Sequence, residues 1–202
     1  MTKQRQVAIL IFDDVEVLDF AGPFEVFNVT GEVIDPAPFH VYTIAEKPDS
    51  IRTRGKLSIN PHYTLDNCPA PDILLIPGGL GTRPLLNNAD LIAWIKTQAG
   101  RVEYLLSVCT GSLLLGKAGL LDGLAATTHH TAFDLLRELA PNTIVHEDRR
   151  YVDNGKIITS GGISAGIDMS LYVVAHLLGE EKLQATLDEM EYTWSPESIK
   201  QH

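Results

Sequence analysis

The sequence predicts an α/β fold with a mostly parallel sheet covered on both faces by helices. Two observations predict it. Short runs rich in branched apolar residues (QVAILIF at 6–12, FHVYTIA at 39–45, DILLI at 72–76, the run at 102–108) alternate with segments of helical periodicity. Most of these runs are close to uniformly apolar, as strands buried on both faces are. A third observation sharpens the reading. The run at 102–108 stops at Cys109, continues through Thr110, Gly111 and Ser112, and takes up helical spacing at Leu113. A strand that turns into a helix through one small-residue step lifts the turning side chain out of the sheet.

Each element follows in order. Residues 6–12 form a first buried strand, DDVEVLDFAGP an acidic connector, and 20–29 a short helix. Residues 39–45 are a second strand. The stretch 51–61 has the alternation and glycine of a hairpin. Residues 72–76 are a third strand that runs into Pro77-Gly78-Gly79, and 85–99 carry helical periodicity. After the Cys109 step, 124–128 read as a short strand ending at His129-His130, and 131–139 as a helix. Residues 143–145 and 150–152 lead to Asn154-Gly155, a two-residue hairpin signal, and to a strand at 157–160. Helices are expected at 165–178 and 181–192, and the tail SPESIKQH reads as frayed.

Composition sets bounds. The length of 202 residues suits one domain, and a hydrophobic content of 45% supports a core. The net charge of −10, from 26 acidic against 16 basic residues, repels phosphate backbones, so nucleic acid is not an expected partner. No apolar stretch approaches the roughly 18 residues of a membrane span. No leader is visible, and two cysteines without a pairing context suit a reducing, cytoplasmic setting.

Function in such sheets gathers at the carboxyl ends of strands. Asp19, Gly79, Cys109 and His129 are read there, as parts of one site. Cys109 is the candidate nucleophile, and the helix start behind it should favour thiolate. The N–H of Thr110 is a first anion donor, and the backbone of Gly78 and Gly79 offers a second. Asp19, between Leu18 and Phe20, is a carboxylate in apolar company whose raised pKa makes it a proton donor. His129 is the rival proton carrier. His129 and His130 are adjacent and lack metal-ligand spacing, so no metal is expected. Cys68, in the loop NCPAP, reads as incidental.

These motifs, LDFAGPFEVF (18–27), LLIPGG (74–79), SVCTGSLLLGKAGLLDG (107–123), ATTHH (126–130) and TSGGISAGIDMSLYVV (159–174), resemble the ThiJ/PfpI superfamily over about residues 6–192. The resemblance implies a flavodoxin-like three-layer sandwich of the class I glutamine amidotransferase type. It is nearest to the isonitrile hydratases and the amidase-like domains of AraC-type regulators. It implies that Cys109 is the elbow cysteine and Asp19 the acid that hydrogen-bonds it. Gly79 and Thr110 would supply anion-binding amides, and His129 would line the pocket. The Thr110 hydroxyl would position substrate or water. A peptidase-like branch carries His directly after the cysteine; Thr110 stands there here.

The expected activity is therefore cofactor-free hydration of a small isonitrile to an N-substituted formamide, through a thioimidate on Cys109, in an apolar pocket suited to a neutral substrate. The alternatives are a glyoxalase-type enzyme acting on methylglyoxal and a thiol-based redox or ligand sensor. The chain ends at His202 without room for a helix-turn-helix module, which disfavours a DNA-binding regulator. The resemblance also implies a homodimer, weakly supported by Phe20, Phe24 and Phe27.

Overall fold

A computed structural model describes residues 3–195. Strand β1 (Arg5–Leu10) leads to α1 (Val17–Val33) and β2 (Phe39–Ala45). A ribbon of β3 (Ile51–Arg52) and β4 (Ser58–Ile59) follows, then β5 (Tyr63–Thr64). Next come β6 (Ile73–Ile76), the single turn α2 (Thr82–Leu85), α3 (Ala89–Ala99), β7 (Tyr104–Val108) and α4 (Gly111–Lys117). The chain continues through β8 (Ala125–Ala126), α5 (Phe133–Leu139), β9 (Ile144–Val145), β10 (Tyr151–Asp153), β11 (Ile157–Ser160), α6 (Ala165–Leu178) and α7 (Glu180–Glu189).

The main sheet has the order β10-β11-β7-β6-β1-β2-β5, and every pairing is parallel except β10 with β11. Ala8 sits between Tyr42 of β2 and Leu74 of β6, and Leu106 between Leu75 and Ile158. Residues 7–10 and 73–76 are buried on both faces, which explains their unbroken apolar runs. Helices α1, α6 and α7 pack together, and α4 gathers α2, α3 and α5. The result is a flavodoxin-like three-layer arrangement. From β1 the chain first steps to β2 and then returns to β6 on the other side. That reversal places a switch point between the carboxyl ends of β1 and β6, the usual place for a ligand.

Several expectations change. The helix expected at 20–29 begins at Val17, so Asp19 lies in its first turn and not in a connector after a strand end. Pro23, at the end of the expected connector, is accommodated inside α1. The expected helix at 85–99 is two pieces, because Asn88 Oδ1 accepts the Leu91 N–H at 3.1 Å and caps a new start. The strand at 124–128 shrinks to β8, paired with β9 outside the main sheet. Its continuation is held by a side chain instead, with Thr127 N–H donating to Thr159 Oγ1 at 2.9 Å. The last helix ends at Glu189 rather than 192. Phe20 and Phe27 are buried within this chain, Phe27 edge-on to Phe39, while Phe24 is half-buried and stacks on His62. Most of the tail at 195–202 lies outside the described residues. No described helix is long and apolar enough to cross a membrane.

The turn from β7 into α4 requires Gly111. A Cβ there would sit 2.0 Å from the carbonyl oxygen of Ile76, because α4 starts directly against the end of β6. Gly111→Ala should destabilise the fold by about 3 kcal/mol, the upper part of the overpacking range. Urea denaturation measures this, and an unchanged midpoint would mean that the helix start is free to move.

Candidate active site

Cys109 occupies the step between β7 and α4 with φ of 56°, a left-handed conformation uncommon for any residue but glycine. Such strain persists only where the surroundings over-determine it. Here they do. The Cys109 N–H lies between the carbonyls of Ser160 (3.1 Å) and Gly161 (3.0 Å). Its own carbonyl accepts from Thr128 Oγ1 (2.9 Å) and Ser112 Oγ (3.2 Å). The thiol is thereby raised from the sheet into a cleft, only 5% exposed. Cys68 sits half-buried elsewhere, its thiol 3.7 Å from the Leu65 carbonyl oxygen.

Asp19 is fully buried beneath this cleft. Its Oδ2 accepts the Gly78 N–H at 3.0 Å. Oδ1 has no hydrogen-bond partner among the described residues, and the Cys109 thiol is a neighbour that pulls the carboxyl's pKa down. Burial pushes Asp19 up to about 7, against the pull of the thiol and of the Gly78 amide. Burial and the Asp19 charge push Cys109 up to about 12. The expected depressed thiol is thus corrected. The amides of Thr110 and Ile163 do favour the thiolate, but loss of water and a carboxylate neighbour outweigh them and the short helix α4. The pair gives up one proton near 7 and holds the other to about 12.

The amide donors differ from the expected set. The Gly78 N–H is engaged by Asp19, and the Gly79 N–H donates to Thr110 Oγ1 at 3.0 Å. Neither is free for a substrate anion. The Thr110 hydroxyl is also engaged, with Thr82 Oγ1 at 3.2 Å and the Gly79 carbonyl at 3.2 Å. These bonds pin the Gly78-Gly79 strand end to the elbow. Gly78 is forced by that closeness, since a Cβ would meet the Thr110 nitrogen at 2.5 Å and Asp19 Oδ2 at 2.8 Å. The donors beside the sulfur are the N–H groups of Thr110 and Ile163. Ile163 was not legible in the sequence. It takes φ of 51°, an outlier for a β-branched residue, and its side chain is 38% exposed over the cleft.

Cys109 opens into a cleft of about 200 Å³ lined by Glu16, Arg54, Arg83, His129, Thr131 and Ile163 among others. His129 Nδ1 accepts the Thr131 N–H at 3.3 Å and meets Thr131 Oγ1 at 2.8 Å. That assigns the proton of the neutral ring to Nε2. Burial, His130 and the nearby guanidinium groups hold His129 below its ordinary pKa. The expected apolar pocket is therefore a charged one, with two arginines and one glutamate. A larger cleft of about 360 Å³ beside Phe12, Glu46 and Leu85 contains none of these groups. Chemistry rather than size marks the Cys109 cleft. Among the described residues no group of three His, Cys, Asp or Glu side chains is placed to share a metal.

A three-layer parallel sheet with a strained cysteine elbow and a buried acid beneath it defines an α/β protein of the thiol-elbow class. The chain belongs to the DJ-1/PfpI family, whose model matches residues 5–176. It is 36% identical over 191 residues to an isonitrile hydratase of Pseudomonas putida, covering 95% of this chain and 80% of that one. The crystal structure of a ThiJ/PfpI family protein from Pseudomonas syringae superposes with a TM-score of 0.86 at 31% identity, over 96% of this chain and 78% of the other. The transcriptional regulator GbdR of Pseudomonas aeruginosa is 26% identical over 92% of this chain, which spans half of that protein.

Proposed function

We propose that this protein hydrates isonitriles to N-substituted formamides. The observation that carries the reading is the buried Cys109–Asp19 pair, which holds a single proton between about 7 and about 12 at a strained elbow. Hydration of R–N≡C requires a nucleophile and a proton delivered to the same carbon. The pair has both. The 36% identity to a named isonitrile hydratase supports the choice of reaction.

The thiol proton passes to the Asp19 carboxylate. The sulfur bonds to the terminal isonitrile carbon while Asp19 returns the proton to that carbon, giving the thioimidate R–N=CH–S–Cys109. Water then adds to this carbon, with Asp19 accepting one of its protons and passing it to the nitrogen, which gives R–NH–CH(OH)–S–Cys109. The tetrahedral adduct collapses with cleavage of the C–S bond. The nitrogen keeps one proton, the sulfur regains the other, and R–NH–CHO leaves. The amides of Thr110 and Ile163 face the sulfur and stabilise the negative charge it carries on attack and on departure.

The sensor reading is less favoured by the site. Susceptible thiols react as thiolates, and Cys109 is pushed the other way. The test is incubation with cyclohexyl or benzyl isonitrile in D2O. Formamide carrying deuterium on the formyl carbon is expected. Absence of formamide with conversion of methylglyoxal to lactate would replace this reading by the glyoxalase one.

A further inference from the structure

The cleft above Cys109 carries a surplus positive charge in a chain whose net charge is −10. Arg54 is balanced, since its Nη1 pairs with Glu16 Oε2 at 3.1 Å. Arg83 is not. Its Nη1 donates to two neutral acceptors, Thr82 Oγ1 at 3.0 Å and the Gly79 carbonyl at 3.3 Å. Among the described residues it has no carboxylate partner, and its Nη2 and Nε donate to no protein group. Half of a planar guanidinium fork is therefore left over, half-buried, in the lining of the catalytic cleft. That free edge is the one that matches a carboxylate with two parallel hydrogen bonds.

The fork is also held in place. Arg83 is tied to Gly79 and Thr82, and both of these bond Thr110, the residue after the nucleophile. A cation fixed one loop away from the sulfur selects ligands before the chemistry begins. The cleft is small, about 200 Å³ against roughly 300–1,000 Å³ for sites that take drug-sized ligands. An anionic group on Arg83 and a reacting carbon on Cys109 must then belong to a short molecule.

We infer that Arg83 binds a carboxylate of the substrate, so that the preferred class is a short isonitrile carrying a carboxylate, an isocyanoalkanoate. This rests on the hydratase reading and deepens it. Arg83 acts as a specificity-determining residue, and neutral isonitriles are the poorer substrates because they leave its fork unpaired.

The experiment compares isocyanoacetate with its methyl ester, which differ little except in charge, as kcat/KM ratios for the wild type, Arg83→Gln and Arg83→Lys. The wild type should favour the acid by about tenfold or more, the scale of a charge-assisted hydrogen-bonded pair. Arg83→Gln should bring the ratio to about one, and Arg83→Lys should restore part of it. An anchor that merely held the Gly79 loop would change both substrates together and leave the ratio alone. A second measurement does not depend on isonitrile chemistry. Iodoacetate should alkylate wild-type Cys109 faster relative to iodoacetamide than it does free cysteine, and Arg83→Gln should abolish that preference. Equal kcat/KM for acid and ester, with no alkylation preference, would overturn the inference and leave the hydratase reading standing. Hydration of neither compound, with iodoacetate still preferred, would keep the anion site and remove the hydratase reading with the isonitrile half of the inference. Hydration of neither with no preference would remove both.

Discussion

Cys109→Ser should lower formamide production by about a thousandfold or more while leaving the fold intact. The substitution keeps size and hydrogen-bonding capacity, so the four bonds that clamp the elbow backbone stay in place. What changes is the reacting atom. A thiol can pass its proton to Asp19 as the sulfur bonds to carbon, because the amides of Thr110 and Ile163 stabilise the charge the sulfur then carries. A serine hydroxyl binds its proton far more tightly, so the ionised nucleophile is not reached and no thioimidate forms. The readouts are kcat with benzyl isonitrile, a thermal midpoint within a few degrees of the wild type, and mass spectrometry of trapped adducts. Turnover within tenfold of the wild type would remove the covalent scheme, because water would then have to attack without help from position 109.

The parts of this site that the sequence made legible are those written in contiguous residues. The elbow was visible because β7 is an unbroken apolar run and because small residues follow Cys109 before helical spacing resumes. The helix Ala165–Leu178 and the strand Ile157–Ser160 were bounded by the SGGISAG and Asn154-Gly155 turns and lie where the pattern put them. The edge strand β5 was missed because two residues, Tyr63 and Thr64, pairing with Ile44 and Ala45, leave no periodic signal. The availability of backbone donors could not be read either. Whether the Gly78 and Gly79 amides are free depends on Asp19, 59 residues away, and Thr110, 31 residues away. Ile163 escaped for a different reason, since nothing in a β-branched residue announces a left-handed backbone. The aromatic residues Phe20 and Phe27 show the same limit for packing. Their pattern states that they are buried, but not whether their own core or a partner buries them.

Burial likewise reversed the expectation for the thiol. A helix start lowers a cysteine pKa when water still reaches the sulfur. Here a carboxyl shares the same dry space, and either negative charge raises the cost of the other. In the proposed mechanism the reacting unit is then the pair with one proton, not a standing thiolate. On that mechanism the carboxyl, rather than the cysteine, is the group whose ionisation should switch activity on.

Asp19→Asn should therefore separate nucleophilicity from hydration, with opposite signs. In the wild type kcat/KM should rise about tenfold per pH unit below about 7 and then level off, because the doubly protonated pair has no base and the singly protonated pair is active. The asparagine variant removes the carboxylate that repels the thiolate, so Cys109 should become more acidic and alkylate faster with iodoacetamide at pH 8. Formamide production should nonetheless fall by about a hundredfold or more, because nothing is left to protonate the isonitrile carbon. Stability should move as well. Asp19 binds its proton more tightly folded, at about 7, than unfolded, at about 4, so the native state holds more protons between these values. Wild-type stability must then decline as pH rises through that window, and the full penalty, a few kcal/mol, is present above about 7. The variant lacks the charge, so its thermal midpoint should draw level with the wild type at pH 4 and exceed it at pH 8. Parallel pH profiles of rate and melting for the two proteins check both halves. Slower alkylation in the variant would show that the carboxylate speeds the thiol as its base by more than its charge holds the thiolate back. A wild-type midpoint that does not fall between pH 4 and 7 would show that the carboxyl is already ionised when the site is at rest.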